Sequence, residues 1–232
     1  MIMDATLLKR HAAERAVEFI QSGMIVGLGH GTTAIWATRR IAELIKAKEL
    51  TDILAIPCSK ETGEEARQLG IPLTTLEEHP SLDLTIDGAD EVAPNFDVIK
   101  GGGGALLREK IVAQATKREI IVVDESKLSP LLGTKWAVPV EVIPFGYGSQ
   151  KVYLESLGAK VSIRQKSDGS TFYTDQGNII LDCKFGAISD PAGLAQQFKQ
   201  RTGIVEHGLF IRLVSDVIVA AASGTRELKR QN

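Results

Sequence analysis

Cysteine is scarce: Cys58 and Cys183 are the only two in 232 residues, too few and too far apart for a disulfide framework or a CxxC metal site. Both are expected as packed free thiols. Long apolar runs are missing as well. No stretch reaches the eighteen or so apolar residues that a membrane span needs. The first twenty residues carry charges at helical spacing and no continuous apolar core, so the chain is expected to act in the cytoplasm without a membrane partner. Nor is there an excess of one charge, since the formal net charge is -2 and no basic stripe compensates for it, which argues against a general nucleic-acid binder. Internal repeats and low-complexity segments are also absent. What remains is an ordinary globular composition, 44% hydrophobic and 24% charged, in a chain long enough to bury one core or two.

Against that plain background, the stretch from Ile86 to Lys110 stands out. It places Asp87 and Asp90 with two residues between them in an Asp-Gly-Ala-Asp turn, then Lys100 directly before the four glycines 101 to 104, then Glu109 on the first turns of an expected helix. Leu82 to Ile86 reads as a strand, so Asp87 falls at its carboxyl end, where open α/β sheets place their ligands. Glycines without a Cβ let the backbone approach a bound molecule and turn its N–H groups towards it. An Asp-Gly pair is also a common turn, and a glycine run before a helix can be a mere connection. Their joint occurrence in one strand-loop-helix unit favours a catalytic site for a small polyhydroxy anion.

Earlier in the chain, Asp4 to Gln21 spaces Leu8, Ala12, Ala16, Phe19 and Ile20 as one face of an amphipathic helix that ends at Gly23. Met24 to Leu28 is a short apolar run, followed by Gly29-His30-Gly31-Thr32-Thr33 and a helical pattern to about Leu50. A strand, a glycine loop and a helix form an anion cradle, in which loop N–H groups and the Thr32 and Thr33 hydroxyls could surround a phosphate at the positive end of the helix dipole. The loop has neither the lysine of a P-loop nor GxGxxG spacing, so neither ATP nor NAD is indicated. A threonine N-cap is the plainer alternative. Ile53 to Pro57 and Ile71 to Thr75 read as further strands, with a helix from Ser59 to Leu69 between them. A helix from Ala105 to Thr116 leads to Ile120 to Val123, a run that suits a strand buried on both faces of a parallel sheet. Lys127 lies just past it, at another carboxyl end.

The rhythm changes near Trp136. Val138 to Ile143, Tyr147 to Leu157, Lys160 to Arg164, a hairpin of Thr171 to Thr174 with Asn178 to Asp182, a helix from Asp190 and a strand at Gly203 to Val205 give the order βαββαβ, the split ferredoxin-like unit. The expected fold is therefore α/β: a Rossmann-like, doubly wound, mostly parallel sheet with a second, smaller ferredoxin-like α+β domain. Residues 1–135 plus 208–232 are expected to form the first domain and 136–207 the second. The apolar positions Val152, Leu154, Leu157, Leu194 and Phe198 are expected to pack against a partner subunit or the first domain. Lys229 and Arg230 read as a polar tail.

The segments GLGHGTTA (27–34), DGADE (87–91), IKGGGGALLREK (99–110), VDESK (123–127) and PVEVIP (139–144) together resemble the A-type ribose-5-phosphate isomerases in order and spacing. The resemblance implies aldose-ketose isomerisation between ribose 5-phosphate and ribulose 5-phosphate in the pentose phosphate pathway, with neither a metal nor an organic cofactor, in a homo-oligomer (dimer or tetramer). By motif match it implies Glu109 as the base, and substrate contacts from Asp87, Gly88, Ala89 and Asp90 and from Lys100, Gly101, Gly102 and Gly103. It also implies a contact from Lys127 and a phosphate loop of His30, Gly31, Thr32 and Thr33. The family loop commonly carries Thr or Ser where this chain has His30, which puts one hydroxyl contact in question.

The residue types suit that chemistry independently. Moving a proton between C1 and C2 of a sugar phosphate passes through an enediolate, so one carboxylate must take the proton from one carbon and return it to the other. Glu109 can do this, because helical side chains lean towards the amino end of their helix and so back over the preceding loop. Lys100 and neighbouring glycine amides can face the developing oxyanion. Opening of the pentose ring needs an acid and a base, for which Asp87, Asp90 and Lys127 are candidates. Two other classes share the pattern: a sugar-phosphate sensor, normally attached to a DNA-binding module, and a CoA transferase with glutamate as nucleophile.

Overall fold

Short apolar runs separated by charged helical segments dictate the element order. The structure, a computed structural model, describes residues 5–230. In chain order the elements are α1 (Ala5–Val17), β1 (Ile25–Leu28), α2 (Ala34–Lys46), β2 (Leu54–Pro57), α3 (Lys60–Gln68), β3 (Leu84–Gly88), β4 (Glu91–Val92), β5 (Val98–Ile99), α4 (Leu106–Ala115) and β6 (Glu119–Asp124). They continue with β7 (Val138–Val142), α5 (Tyr147–Ser156), β8 (Lys160–Ile163), β9 (Ile179–Lys184), α6 (Pro191–Lys199), β10 (Ile204–His207), β11 (Leu209–Phe210), β12 (Asp216–Ala221) and β13 (Gly224–Lys229). The helix start expected at Asp4 and the extreme ends of the expected first domain lie outside the described residues. Two compact units result. One holds the described residues up to Ala89 together with Arg108–Lys127 and the chain from Leu213 onward; the other holds Asp90–Leu107 and Leu128–Arg212.

The first unit is built on a six-stranded sheet in the order β13-β12-β6-β3-β1-β2, parallel except for β13. Every residue of β12 and the first five of β6 are buried, as strands covered on both faces require. Ala12 and Ala16 of α1 and Ile41 of α2 join Val26, Leu84, Ile120 and Ile218 in one core. Ile56, Cys58, Leu82 and Val112 form a second. This is the mostly parallel α/β sheet expected from the alternating pattern. Three details differ from expectation. Ile71 to Thr75 is no strand, only a single bridge from Leu73 to Ala55. The helix expected to run on to Gln21 ends at Val17. Lys229, expected in a tail, closes the edge strand β13, whose Thr225, Arg226, Glu227 and Lys229 pair with β12.

The second unit carries the expected βαββαβ order as a four-stranded antiparallel sheet, β10-β7-β9-β8. Val138, Val140, Val142 and Leu181 of the sheet bury Leu154 of α5 and Phe198 of α6 in a single core. Leu154 and Phe198 are thus the unit's own interior, not a docking face, because the helices turn their strongest apolar positions onto their own sheet. Val152 alone of those helical positions stays well exposed, at 66%. The segment 171–174 makes single bridges, Gln165 to Thr171 and Tyr173 to Ile179, instead of a full hairpin strand. A smaller sheet, β11-β5-β4, completes the unit. Its fully buried Glu91 accepts hydrogen bonds from the N–H groups of Gly133, Lys135 and Trp136 at 2.9, 3.0 and 3.1 Å. The last acid of the DGADE motif is therefore a structural anchor, holding the approach to β7.

Candidate functional site

In the first unit the candidate residues sit at the carboxyl ends of neighbouring parallel strands. Leu28 of β1 lies beside Ile86 of β3, and the chain leaves β1 through Gly29. That position must be glycine: a Cβ there would come within 2.3 Å of the Asp87 carboxylate and 2.5 Å of the Ile86 carbonyl oxygen. The close approach lets the Gly29 N–H bond to the Ile86 carbonyl at 3.0 Å. Asp87, 1% exposed, accepts on Oδ1 from the N–H groups of His30 at 3.1 Å and of Gly88 at 2.7 Å. One buried carboxylate thus shapes both the phosphate-loop candidate and its own turn.

Beyond it, the loop opens. Gly31 has φ +104° with open space above it, and Gly31 and Thr32 are exposed. Thr33 is the N-cap residue of α2, yet its side chain makes no capping hydrogen bond. The plainer explanation of the paired threonines therefore does not account for the Thr33 hydroxyl. Thr32 Oγ1 accepts instead from Lys9 Nζ of α1 at 3.0 Å. Lys9 was not among the residues singled out from sequence. Read as one more cation on an amphipathic helix, it brings a positive charge to a loop at a helix N-terminus, where anions are stabilised. The His30 ring is engaged elsewhere: Nδ1 lies 3.0 Å from Ser59 Oγ, and Ser59 caps α3 by accepting from the Thr62 N–H at 3.0 Å. The His30 ring is thus turned to Ser59 and its N–H to Asp87. Glu109, 4% exposed, lies in the first turn of α4. Lys127 closes a short 3₁₀ turn, Glu125–Lys127, after β6 and is partly buried.

In the second unit the glycine run follows β5. The Lys100 N–H bonds to the Gly208 carbonyl at 2.9 Å, and the Lys100 side chain is only 2% exposed, with Nζ 5.6 Å from the centre of the Phe210 ring. A buried ammonium over an aromatic face is attracted by the ring's quadrupole. Asp90 accepts on Oδ2 from the Gly102 N–H at 2.7 Å. A Cβ at Gly102 would meet the same carboxylate at 2.5 Å, and one at Gly104 would meet the Phe172 ring at 2.4 Å. Gly103 is the exposed glycine of the run. Contacts among candidate residues therefore join His30, Gly88 and Asp87 in one unit, and Asp90 and Gly102 in the other.

Comparison with known proteins adds a separate line of observation. The family model "Ribose 5-phosphate isomerase A (phosphoriboisomerase A)" matches residues 54–224. Among curated proteins, ribose-5-phosphate isomerase A of Desulfatibacillum aliphaticivorans is 57% identical over 222 residues, 96% of each chain. The protein of the same name from Chloroflexus aurantiacus is 54% identical over 95% of this chain and 92% of its own. Among solved structures, a D-ribose-5-phosphate isomerase in complex with phospho-erythronic acid superposes with a TM-score of 0.96 at 35% identity, covering 98% of this chain and 100% of that one. Ribose 5-phosphate isomerase from Plasmodium falciparum gives 0.95 at 40% identity, with coverage of 98% and 100%.

Proposed function

The chain belongs to the ribose 5-phosphate isomerase A family, and on that premise we propose that it interconverts D-ribose 5-phosphate and D-ribulose 5-phosphate through an enediolate. One observation carries the reading. The glutamate that the family motif marks as base, Glu109, is a nearly fully buried carboxylate in the first turn of a helix that follows directly on the Lys100–Gly104 run. Burying a carboxylate that has no task is costly; a base held out of water is useful.

In this reading Glu109 removes the C2 proton of the open-chain aldose and returns it to C1, while Lys100 and amides of the glycine run stabilise the negative charge that grows on the substrate oxygens. The assignment of the pair rests on the motif match. The Gly31 to Thr33 backbone, the Thr32 and Thr33 hydroxyls and Lys9 bind the phosphate, in keeping with an open N–H cradle at the start of α2. Asp87, with Gly88 and Ala89, and Asp90 bind the sugar hydroxyls. With Lys127 the two aspartates serve ring opening, and no metal or organic cofactor takes part. Residues 136–207 contribute no group that reacts with the sugar. Their exposed Phe145, Tyr147 and Val152, at 88%, 41% and 66%, support a homo-oligomer, a dimer or tetramer, with this segment in the contact. The place of work is the cytoplasm, without nucleic-acid or membrane partners; no helix among the described residues is long and apolar enough to cross a membrane.

Purified protein incubated with chelator and a panel of aldose phosphates tests the reading directly. Ribulose 5-phosphate should form from ribose 5-phosphate at an undiminished rate with the chelator present. Binding without turnover, or acyl exchange that requires CoA, would overturn the proposal.

A further inference from the structure

Two peptide groups of the glycine run are gripped from one side by a side chain more than sixty residues away. Arg164 follows β8, and its Nη1 donates to the carbonyl oxygens of Gly101 and Gly102 at 2.6 and 3.0 Å. The rest of the guanidinium is spent on β9: Nε donates to Asp182 Oδ2 at 3.0 Å and Nη2 donates to Asp182 Oδ1. This is the bidentate fork that arginine forms with a carboxylate, and it fixes the plane of the guanidinium. The side chain is only 13% exposed, and the Arg164 backbone is tied as well, its N–H to the Ile180 carbonyl at 2.9 Å and its carbonyl to the Phe172 N–H at 3.0 Å. Phe172 in turn is the residue whose ring fills the space above Gly104.

We propose that Arg164 is a positioning residue for the proposed isomerisation, setting which way the amides of the Lys100–Gly104 run point. The argument is geometric. In a trans peptide the C=O and the following N–H point in opposite directions, and none of the described peptide bonds is cis. With the Gly101 carbonyl on Arg164, the Gly102 N–H must face away from it, and it meets Asp90 Oδ2 at 2.7 Å. With the Gly102 carbonyl also on Arg164, the Gly103 N–H is likewise turned away, at the exposed glycine of the run. Glycine peptides are the ones most free to flip; here each of two successive planes is held by a charged group. Arg164 therefore fixes a donor direction without touching substrate, and it keeps the residues next to Lys100 in one conformation. Lysine in its place would be a point charge, unable to serve a carboxylate and two carbonyls in one plane.

The inference rests on the reading of this run as the oxyanion neighbour, so the two are tested together but scored apart. The unmodified protein, Arg164→Gln, Arg164→Lys and Asp182→Asn are assayed for kcat and KM with ribose 5-phosphate, normalised to the folded fraction from thermal melts. Misplacing a site group by about 1 Å can lower a rate by about a hundredfold. Arg164→Gln is accordingly expected to lose between about tenfold and a hundredfold in kcat, with KM within about threefold, since an oxyanion donor acts mainly in the transition state. Asp182→Asn, which keeps the guanidinium but loosens its anchor, should fall in between, and it carries the test if Arg164→Gln does not fold. Arg164→Lys should recover less than half of the lost kcat. Unchanged kcat per folded molecule in Arg164→Gln or in Asp182→Asn, or full recovery with lysine, would overturn the positioning role. An unmodified protein that does not isomerise ribose 5-phosphate would instead sink the functional reading.

Discussion

Gly29 to Thr33 has two glycines in five residues and Lys100 to Gly104 has four in five, and the two loops are held by different means. Gly29 to Thr33 is held by the sheet itself: a parallel strand delivers it, the neighbouring strand's Asp87 takes its His30 N–H, and the next helix begins at its end. Lys100 to Gly104 is held from afar. Its carbonyls go to Arg164, one N–H to Asp90 and its first N–H to Gly208, and Phe172 covers its last glycine. The first design leaves the Thr33 hydroxyl without a capping bond at a helix start and brings Lys9 to Thr32, which suits a group that needs only charge and N–H contacts, such as phosphate. The second fixes individual peptide planes, which suits the place where charge develops for an instant and must find its donors already aimed. Glycine alone does not tell a cradle from an oriented donor array; the partners of its peptides do.

The sharpest way to break this comparison is to remove the base that is expected to work with the second loop. Glu109→Gln keeps size and hydrogen bonding, and it should lower kcat by at least about a hundredfold, the low end of general-base contributions, with KM within a few fold. Steady-state assay reads this, and exchange in heavy water reads it independently: the unmodified protein should build deuterium into the isomerised carbon and the variant should not. Turnover and exchange at the parental level would move suspicion to Asp87 or Asp90. The mirror experiment acts on the first loop. Replacing Thr32 and Thr33 together with valine should raise KM by about tenfold or more, given about 1.5 kcal/mol for a hydrogen bond to a charged group, and change kcat little, because phosphate contacts are shared by ground and transition states. If KM for ribose 5-phosphate stays put, the loop is not the phosphate site and the contrast between the loops collapses.

The smallest effect concerns the scaffold that carries Arg164. Glu141 of β7 is fully buried; Thr174 and Asn178 both donate to its Oε1, at 2.8 and 2.9 Å, and its Oε2 has no hydrogen-bond partner among the described residues. Burial holds this carboxyl above its ordinary value, opposed by those two hydrogen bonds and aided by Glu206 and Asp175. A raised folded value means that the folded state binds the proton more tightly. The contribution to stability is therefore full below the unfolded value of about 4.3 and is lost as pH rises from there through the raised one. Glu141→Gln, which cannot ionise, should gain stability relative to the parent as pH is taken from about 4 to 7, read as a difference in melting temperature at each pH. A constant or shrinking difference would contradict it.

Much of the first unit is legible in the sequence because its strands are buried on both faces, so apolar runs such as Ile120 to Val123 mark them directly. The glycine-threonine loop is legible because a strand and a helix flank it in sequence, although its partner Asp87 lies 57 residues on. Legibility ends where a partner is distant or a face is wet. The edge strand β13 carries Thr225, Arg226, Glu227 and Lys229, and a strand exposed along its edge has no apolar run to announce it. The two-residue strands β4 and β5 are too short for any periodicity. Lys9 and Arg164 look like solvated cations until the fold brings Thr32 to the one and the glycine carbonyls to the other. The opposite error arose at Leu154 and Phe198, whose spacing marks an apolar face but not which surface covers it.

The position of β12 also bears on how the chain comes off the ribosome. This strand lies between β6 and β13 in the sheet, and just before it the Ser215 hydroxyl accepts from the Glu119 N–H across 96 residues of chain. Emerging amino end first, the chain offers β1, β2, β3 and β6 early, then all of the βαββαβ segment, and only afterwards the strand that covers the outer edge of β6. Throughout that interval the nascent sheet shows an open row of N–H and C=O groups on an apolar strand, the kind of edge that recruits stray chains. When β12 does arrive, it comes as one arm of a tight hairpin with β13, so a single late event closes the apolar edge and replaces it with a charged one.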